Sequence, residues 1–394
     1  MTHSAQSHVF HLTPRNRDEE HRASTPLELM FDLAAVIAIA AAATGLHHGI
    51  AEAHYFDGII GFLYSFFMIW MAWMNYTWLA SAYDNESLWF RVMSMAIMVG
   101  ALVLAAGISA VFAGAPLYLA MVGFLIMRVC LVVLWLAVAR GDPDHRATAL
   151  RYAWSIVVIQ FYWVTIVLGL PPGSDLMLVA FLLGFAAELF IPAFAERASS
   201  TSWHRHHIIE RYGLLNIIVL GECFLAIVVA FGAGAGGGFP SLKLLEIGVL
   251  ASIITFILWA LYFAKEAHLH SEELKHALLW GYGHFALFAA GAATGAGFAV
   301  FIEVATHQAH ISEQTAALSV AIPVAIYLLT LWLIRDRFWL KGLGQWLMPV
   351  SVISIILVGV FSIQPLILIT LILVLLTIAR RRSLDRERHC TAAC

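Results

Sequence analysis

The chain has 394 residues, of which 61% are hydrophobic and only 12% charged, with a mean hydropathy of +0.85 and a formal net charge of −3. Soluble domains carry charge on about a quarter of their residues, so this composition excludes a soluble protein and indicates an all-α polytopic membrane protein. The lipid bilayer is therefore the first partner, no nucleic-acid partner is expected, and oligomeric state is not legible.

Residues 1–25 form a polar leader rich in histidine and charge, without the apolar core of a signal peptide. The leader is expected to be disordered or loosely attached. A spanning helix needs about 20 mostly apolar residues. Candidate spans in a first half (26–196) are 26–46, 58–80, 88–112, 116–139, 149–169 and 175–195. A linker at 197–206 precedes a second half (207–380), with spans at 207–231, 242–264, 277–301, 315–334, 345–362 and 364–380. The last two are separated at Ser362-Ile363-Gln364-Pro365, and a basic tail follows at 381–394. About twelve transmembrane helices result.

Lys and Arg gather in the loops facing the cytoplasm. Here they fall in the leader, beside even-numbered loops (Arg91; Arg140, Arg146, Arg151; Arg197, Arg205; Lys265, Lys275; Arg335, Arg337, Lys341) and in the tail from Arg380. Lys243, near the Gly-rich loop at 232–238, is the exception. This alternation places both termini in the cytoplasm and requires an even number of spans.

A weak internal repeat supports two parallel six-helix halves. Glu28–Leu33 resembles Glu210–Leu215, and Trp73–Tyr76 in the following span resembles Trp259–Tyr262. Parallel halves of this kind occur in some transporters.

Charge inside a span is costly, so each such residue needs a reason. Thr25-Pro26-Leu27-Glu28 reads as a capping box, with Glu28 returning to the Thr25 amide; a functional carboxylate is the other reading. Asp32 lies one turn deeper on the same face, and Arg91 on the third span is its expected partner. Arg128 and Glu188 sit at nearly equal depth in the fourth and sixth spans and are expected to pair. In the seventh span, His207 shares a face with Glu210 and Arg211; the latter two read as a shallow interfacial pair. Glu222 lies about 18 Å beyond Glu210 at about 1.5 Å per residue, with Gly221 beside it to admit a neighbouring helix. An unpaired Glu222 is the better proton carrier and the leading functional candidate. Asn75 and His284 add polar groups to the second and ninth spans, His284 reading first as a hydrogen-bonded core histidine. Ala34–Ala43, and Gly291 with Gly295, read as close helix packing.

Histidines cluster at His204, His206 and His207, at His268 and His270, and at His47, His48 and His54. None has His-Glu-x-x-His spacing and the four cysteines give no support, so no metal or cofactor is expected. No Walker motif is present, so ATP-driven work by this chain is not expected, and the chain reads as a non-enzyme ahead of an enzyme.

Two motifs carry a family resemblance. Thr25-Pro26-Leu27-Glu28-Leu29-Met30-Phe31-Asp32-Leu33 is similar to the opening "ELFFDLVFV" segment of the bacterial low temperature requirement A family. His207-Ile208-Ile209-Glu210-Arg211-Tyr212-Gly213-Leu214 through Gly221-Glu222 is similar to its "H-x-x-ERFGLF…LGE" segment. Met30 stands for a usual phenylalanine, Ala34-Ala35 for bulkier residues, and Cys223 for a common serine; the charged positions are kept. The resemblance covers nearly the whole chain and implies a multi-pass inner-membrane protein linked to growth in the cold. It brings no substrate. The residues themselves favour a secondary, proton-linked transporter of an unidentified small solute or ion. An ion channel, a lipid-active membrane enzyme, and a sensor or assembly factor are the alternatives.

Overall fold

The computed structural model describes residues 11–16, 19, 22–232, 239–264, 269, 273–309 and 311–392. The glycine run at 233–238, with Lys265, His268, His270 and Glu272, lies outside them. Among the described residues there is no strand. The helices are α1 (Pro26–Ala51), α2 (Tyr55–Tyr83), α3 (Leu88–Phe112), α4 (Tyr118–Gly141), α5 (Arg146–Gly169), α6 (Asp175–Ala195) and α7 (Arg205–Gly232). They continue as α8 (Leu242–Phe263), α9 (Leu274–Ala305), α10 (Glu313–Leu331), α11 (Leu347–Phe361) and α12 (Pro365–Ala392). α10 runs on through a π turn, Trp332–Asp336, to Trp339, and α11 is preceded by a 3₁₀ turn, Gly342–Trp346.

Eleven segments among the described residues, those of α1 to α11, are long and apolar enough to cross a membrane. The expected twelfth is helical as well, but only the stretch 365–379 precedes Arg380-Arg381-Arg382. At about 1.5 Å per residue that stretch is roughly 22 Å long, shorter than the roughly 30 Å hydrocarbon core.

Serine starts four of these helices for the expected reason. The hydroxyls of Ser87, Ser174, Ser241 and Ser312 accept from the amides of Phe90, Met177, Leu244 and Thr315, satisfying donors that a first turn leaves open. Thr25 and Glu28 form the capping box: the Thr25 amide donates to Glu28 at 2.8 Å and the Glu28 amide to Thr25 Oγ1 at 3.3 Å. Between the capped ends, most of the helices keep one apolar face open, as with Leu29, Met30, Leu33 and Ile37 on α1. In a membrane protein such a face meets lipid at no hydrophobic cost.

The chain forms two compact units. The first comprises Met1–Ala42, Gly61–Tyr212 and Ser271–Leu278; the second comprises Ala43–Ile60, Gly213–His270 and Leu279–Cys394.

The first unit has an aromatic core in which Trp70, Trp73, Tyr76, Tyr83 and Trp163 are nearly inaccessible. In it α3 and α4 pack backbone on backbone. A Cβ added at Gly107 would stand 2.3 Å from the Ala120 nitrogen, and one at Gly123 2.3 Å from that of Leu104. The leader corrects an expectation, because its described part is anchored at Leu12 and Arg22. Leu12 is fully buried, its amide donates to Ala137 at 3.2 Å, and Gly141 lies against its backbone. Arg22 is buried too, donating to the carbonyls of Ala80 (2.7 Å) and Ser81. Burial pulls its guanidinium below the ordinary arginine value, against the attraction of Glu28.

The core of the second unit is built around α9. Gly291 meets Val219, a Cβ on Gly295 would lie 2.6 Å from the Glu222 carbonyl carbon, and one on Gly297 2.1 Å from the Ser319 oxygen. The small residues of α9 thus bring α7 and α10 close, as their spacing predicts. A side chain on Gly221 would meet nothing within 4 Å, so the close approach beside Glu222 comes from α9, not from Gly221.

Candidate functional site

In the first unit, Glu28 and Asp32 stand one turn apart on α1, and His207 and Arg211 one turn apart on α7. Spacing of four residues puts each pair on one helix face, and the two faces meet rung by rung. His207 Nε2 lies 3.0 Å from Glu28 Oε1. Arg211 grips Asp32 with two donors, Nη1 to Oδ2 at 2.7 Å and Nη2 to Oδ1 at 2.6 Å. All four side chains are 0% exposed. Trp73 Nε1 donates to Asp32 Oδ1 at 2.7 Å, and the Trp78 indole donates to the Tyr212 hydroxyl at 3.1 Å. Asp32 therefore pairs with Arg211, while Arg91 is exposed on the first turn of α3. Arg211 is not half of a shallow interfacial pair: it is buried, and its neighbour Glu210 is exposed, accepting from the Ser24 amide at 3.2 Å. Successive residues of a helix are rotated by about 100°, which points the two in different directions.

Arg128 and Glu188 pair as their depths predict, at 2.5 Å, with 1% and 0% of their side chains exposed. Trp163 Nε1 donates to the same Glu188 oxygen at 3.0 Å, and Phe124 lies 4.5 Å under the guanidinium. Gly184, one turn before Glu188, makes room for the indole, since a Cβ there would stand 2.3 Å from Trp163 Cη2. Asn75 is half-buried on α2.

In the second unit, Glu222 differs from every carboxylate above. It is only 8% exposed, and among the described residues it has neither an ion-pair nor a hydrogen-bond partner. More fully buried polar groups lie beside α8. Tyr327 donates to Asn216 Oδ1 at 3.0 Å and reaches the Leu258 carbonyl at 3.4 Å. His284 is the hydrogen-bonded core histidine expected. Its Nδ1 lies 2.8 Å from the Trp280 carbonyl, which can only accept, so Nδ1 carries the proton and Nε2 accepts from Tyr262 at 3.1 Å. At the end of this line Arg335 donates to the Tyr262 carbonyl at 2.7 Å and to Asp336 at 2.5 Å. Arg380 completes a buried triad, Nε to Asp336 Oδ2 at 2.6 Å.

That triad was not legible as a site. Arg335 and Asp336 fall just past the predicted end of a span, and Arg380 opens a basic run, so all three read as solvated charge. The π turn at Trp332–Asp336 carries the first two inward instead. Three metal-ligating side chains come together at one place among the described residues, where His47 and His48 of α1 meet Glu303 of α9.

The family model of the Bacterial low temperature requirement A protein (LtrA) matches residues 23–380. "Uncharacterized protein RA0937" of Rhizobium meliloti (strain 1021) is 27% identical over 229 residues, covering 57% of this chain and 54% of that protein. The chain thus aligns with about half the length of that relative. No solved structure matches it.

Proposed function

The chain belongs to the bacterial low temperature requirement A family, and from the state of its intramembrane carboxylates we propose that it is a proton-linked secondary transporter of a small solute. The observation carrying this reading is Glu222. Glu28, Asp32, Glu188 and Asp336 are each held by a histidine or arginine, whereas Glu222 has no partner among the described residues. An ion pair must be broken before its carboxylate takes a proton, and breaking a buried pair costs about 3–5 kcal/mol. Glu222 gains and loses a proton without that cost. An intramembrane ionisable group of this kind marks a transport path or proton relay. On this reading the membrane is the inner membrane, the two six-helix halves are parallel repeats, and both termini are cytoplasmic only if the short α12 also crosses, making the span count even.

The test uses the full chain in proteoliposomes loaded with a pH-reporting dye. Pools of amino acids, organic acids and monovalent cations are added outside, and proton movement is followed. A pool that drives proton flux through the wild type, with the flux lost in Glu222→Gln while that variant stays folded, supports the reading. Undiminished flux in Glu222→Gln, or no flux with any pool, overturns it.

A further inference from the structure

The structure assigns a binding site for a divalent transition-metal ion of the zinc class to His47, His48 and Glu303, where the last turns of α1 and α9 meet in the second unit. His47 Nε2 and Glu303 Oε1 are 2.9 Å apart. One ring nitrogen of His47, one of His48 and one carboxylate oxygen of Glu303 all lie within 4.8 Å of one another. A tetrahedral ion about 2.0–2.1 Å from each donor needs them roughly 3.3 Å apart, within reach of small side-chain rotations. Two imidazoles and a carboxylate suit zinc and its neighbours and disfavour magnesium and calcium, which take oxygen ligands.

Three further features fit a cation. Both helices end here, at Ala51 and Ala305, so two helix C-termini bring partial negative charge to the ion beside Glu303. The ligands stand on fixed backbone. Gly49 and Gly58 pack so closely that a Cβ on Gly49 would be 2.7 Å from Gly58 Cα. The Glu303 carbonyl is itself capped by Gln308 at 2.8 Å. Access is uneven, since His47 and Glu303 are 15% and 25% exposed while His48 is open to solvent. Three protein ligands with one open side leave a fourth position for water or an exchanging ligand. This site is independent of the Glu222 reading.

The experiment is a Co²⁺ titration of the full, untagged chain in detergent, read by visible d–d absorption and followed by Zn²⁺ displacement. A saturable four-coordinate cobalt spectrum that zinc abolishes is expected. Glu303→Gln and His48→Ala, at half-buried and exposed positions, should each weaken binding at least as much as loss of an outer-shell partner does, about 10–100-fold. His54→Ala should leave it unchanged, because His54 faces Glu52 at 3.7 Å and lies outside the trio. No cobalt spectrum in the wild type, or the wild-type spectrum and affinity in both Glu303→Gln and His48→Ala, overturns the proposal.

Discussion

Asp32 and Arg211 are joined by two parallel hydrogen bonds of 2.6 and 2.7 Å with neither side chain exposed. Planar bidentate pairing of this kind is what a guanidinium offers and an ammonium does not. Its value to the fold is asymmetric: keeping the pair is nearly neutral against an apolar replacement, while removing one member strands the other.

Asp32→Asn and Arg211→Met should therefore each destabilise the protein by about 3–5 kcal/mol. The double variant Asp32→Leu with Arg211→Met should recover most of that loss. Thermal unfolding in detergent measures both. A double variant as unstable as the sum of the singles would show that the charges do more than satisfy each other.

Glu222→Gln should behave in the opposite way. With no cation to strand, it should unfold at a temperature no lower than the wild type in the same assay. A loss comparable to that of Asp32→Asn would reveal a partner and remove the basis for its proton role.

Gly184→Ala should be costly although it adds a single methyl. The new carbon would stand 2.3 Å from Trp163 Cη2, and Trp163 is also the Glu188 donor. Overpacking of this kind costs about 1–3 kcal/mol. Near-ultraviolet circular dichroism should change with it as the indole moves; an unchanged spectrum and melting temperature would contradict the packing described.

Asp84, in the loop after α2, supplies a pH dependence. Burial pushes its carboxyl above the ordinary aspartate value, against the Glu86 amide, Arg22 and Arg15. A group raised in the folded state contributes stability that is present below its unfolded pKa, about 3.9, and lost as pH rises through the folded value. Asp84→Asn keeps an acceptor for the Glu86 amide, 2.8 Å away, and removes the charge. The variant should melt above the wild type at pH 7.5, with the difference vanishing toward pH 4.

Helix positions were largely legible because length and hydropathy decide them. Predicted spans such as 88–112 and 175–195 coincide with α3 and α6. The Arg128–Glu188 pair was legible too, since equal depth leaves few partners for a mid-span charge. The partner of Asp32 was not. Depth pointed to Arg91 and adjacency gave Arg211 to Glu210, and only the rotation of α7 about its axis turns Arg211 inward and Glu210 outward. Glu303 was invisible as a companion of His47 and His48 because no local spacing links the ends of two distant helices.

The seam between α3 and α4 has a consequence for any route through the first unit. Gly107 against Ala120 and Gly123 against Leu104 leave no room for a methyl group between the two main chains. Neither an acyl tail nor a file of water fits there, so this pair works as a weld. Motion or permeation in the first unit has to be borne by its other helices, and a single alanine at Gly107 or Gly123 would pry the weld open.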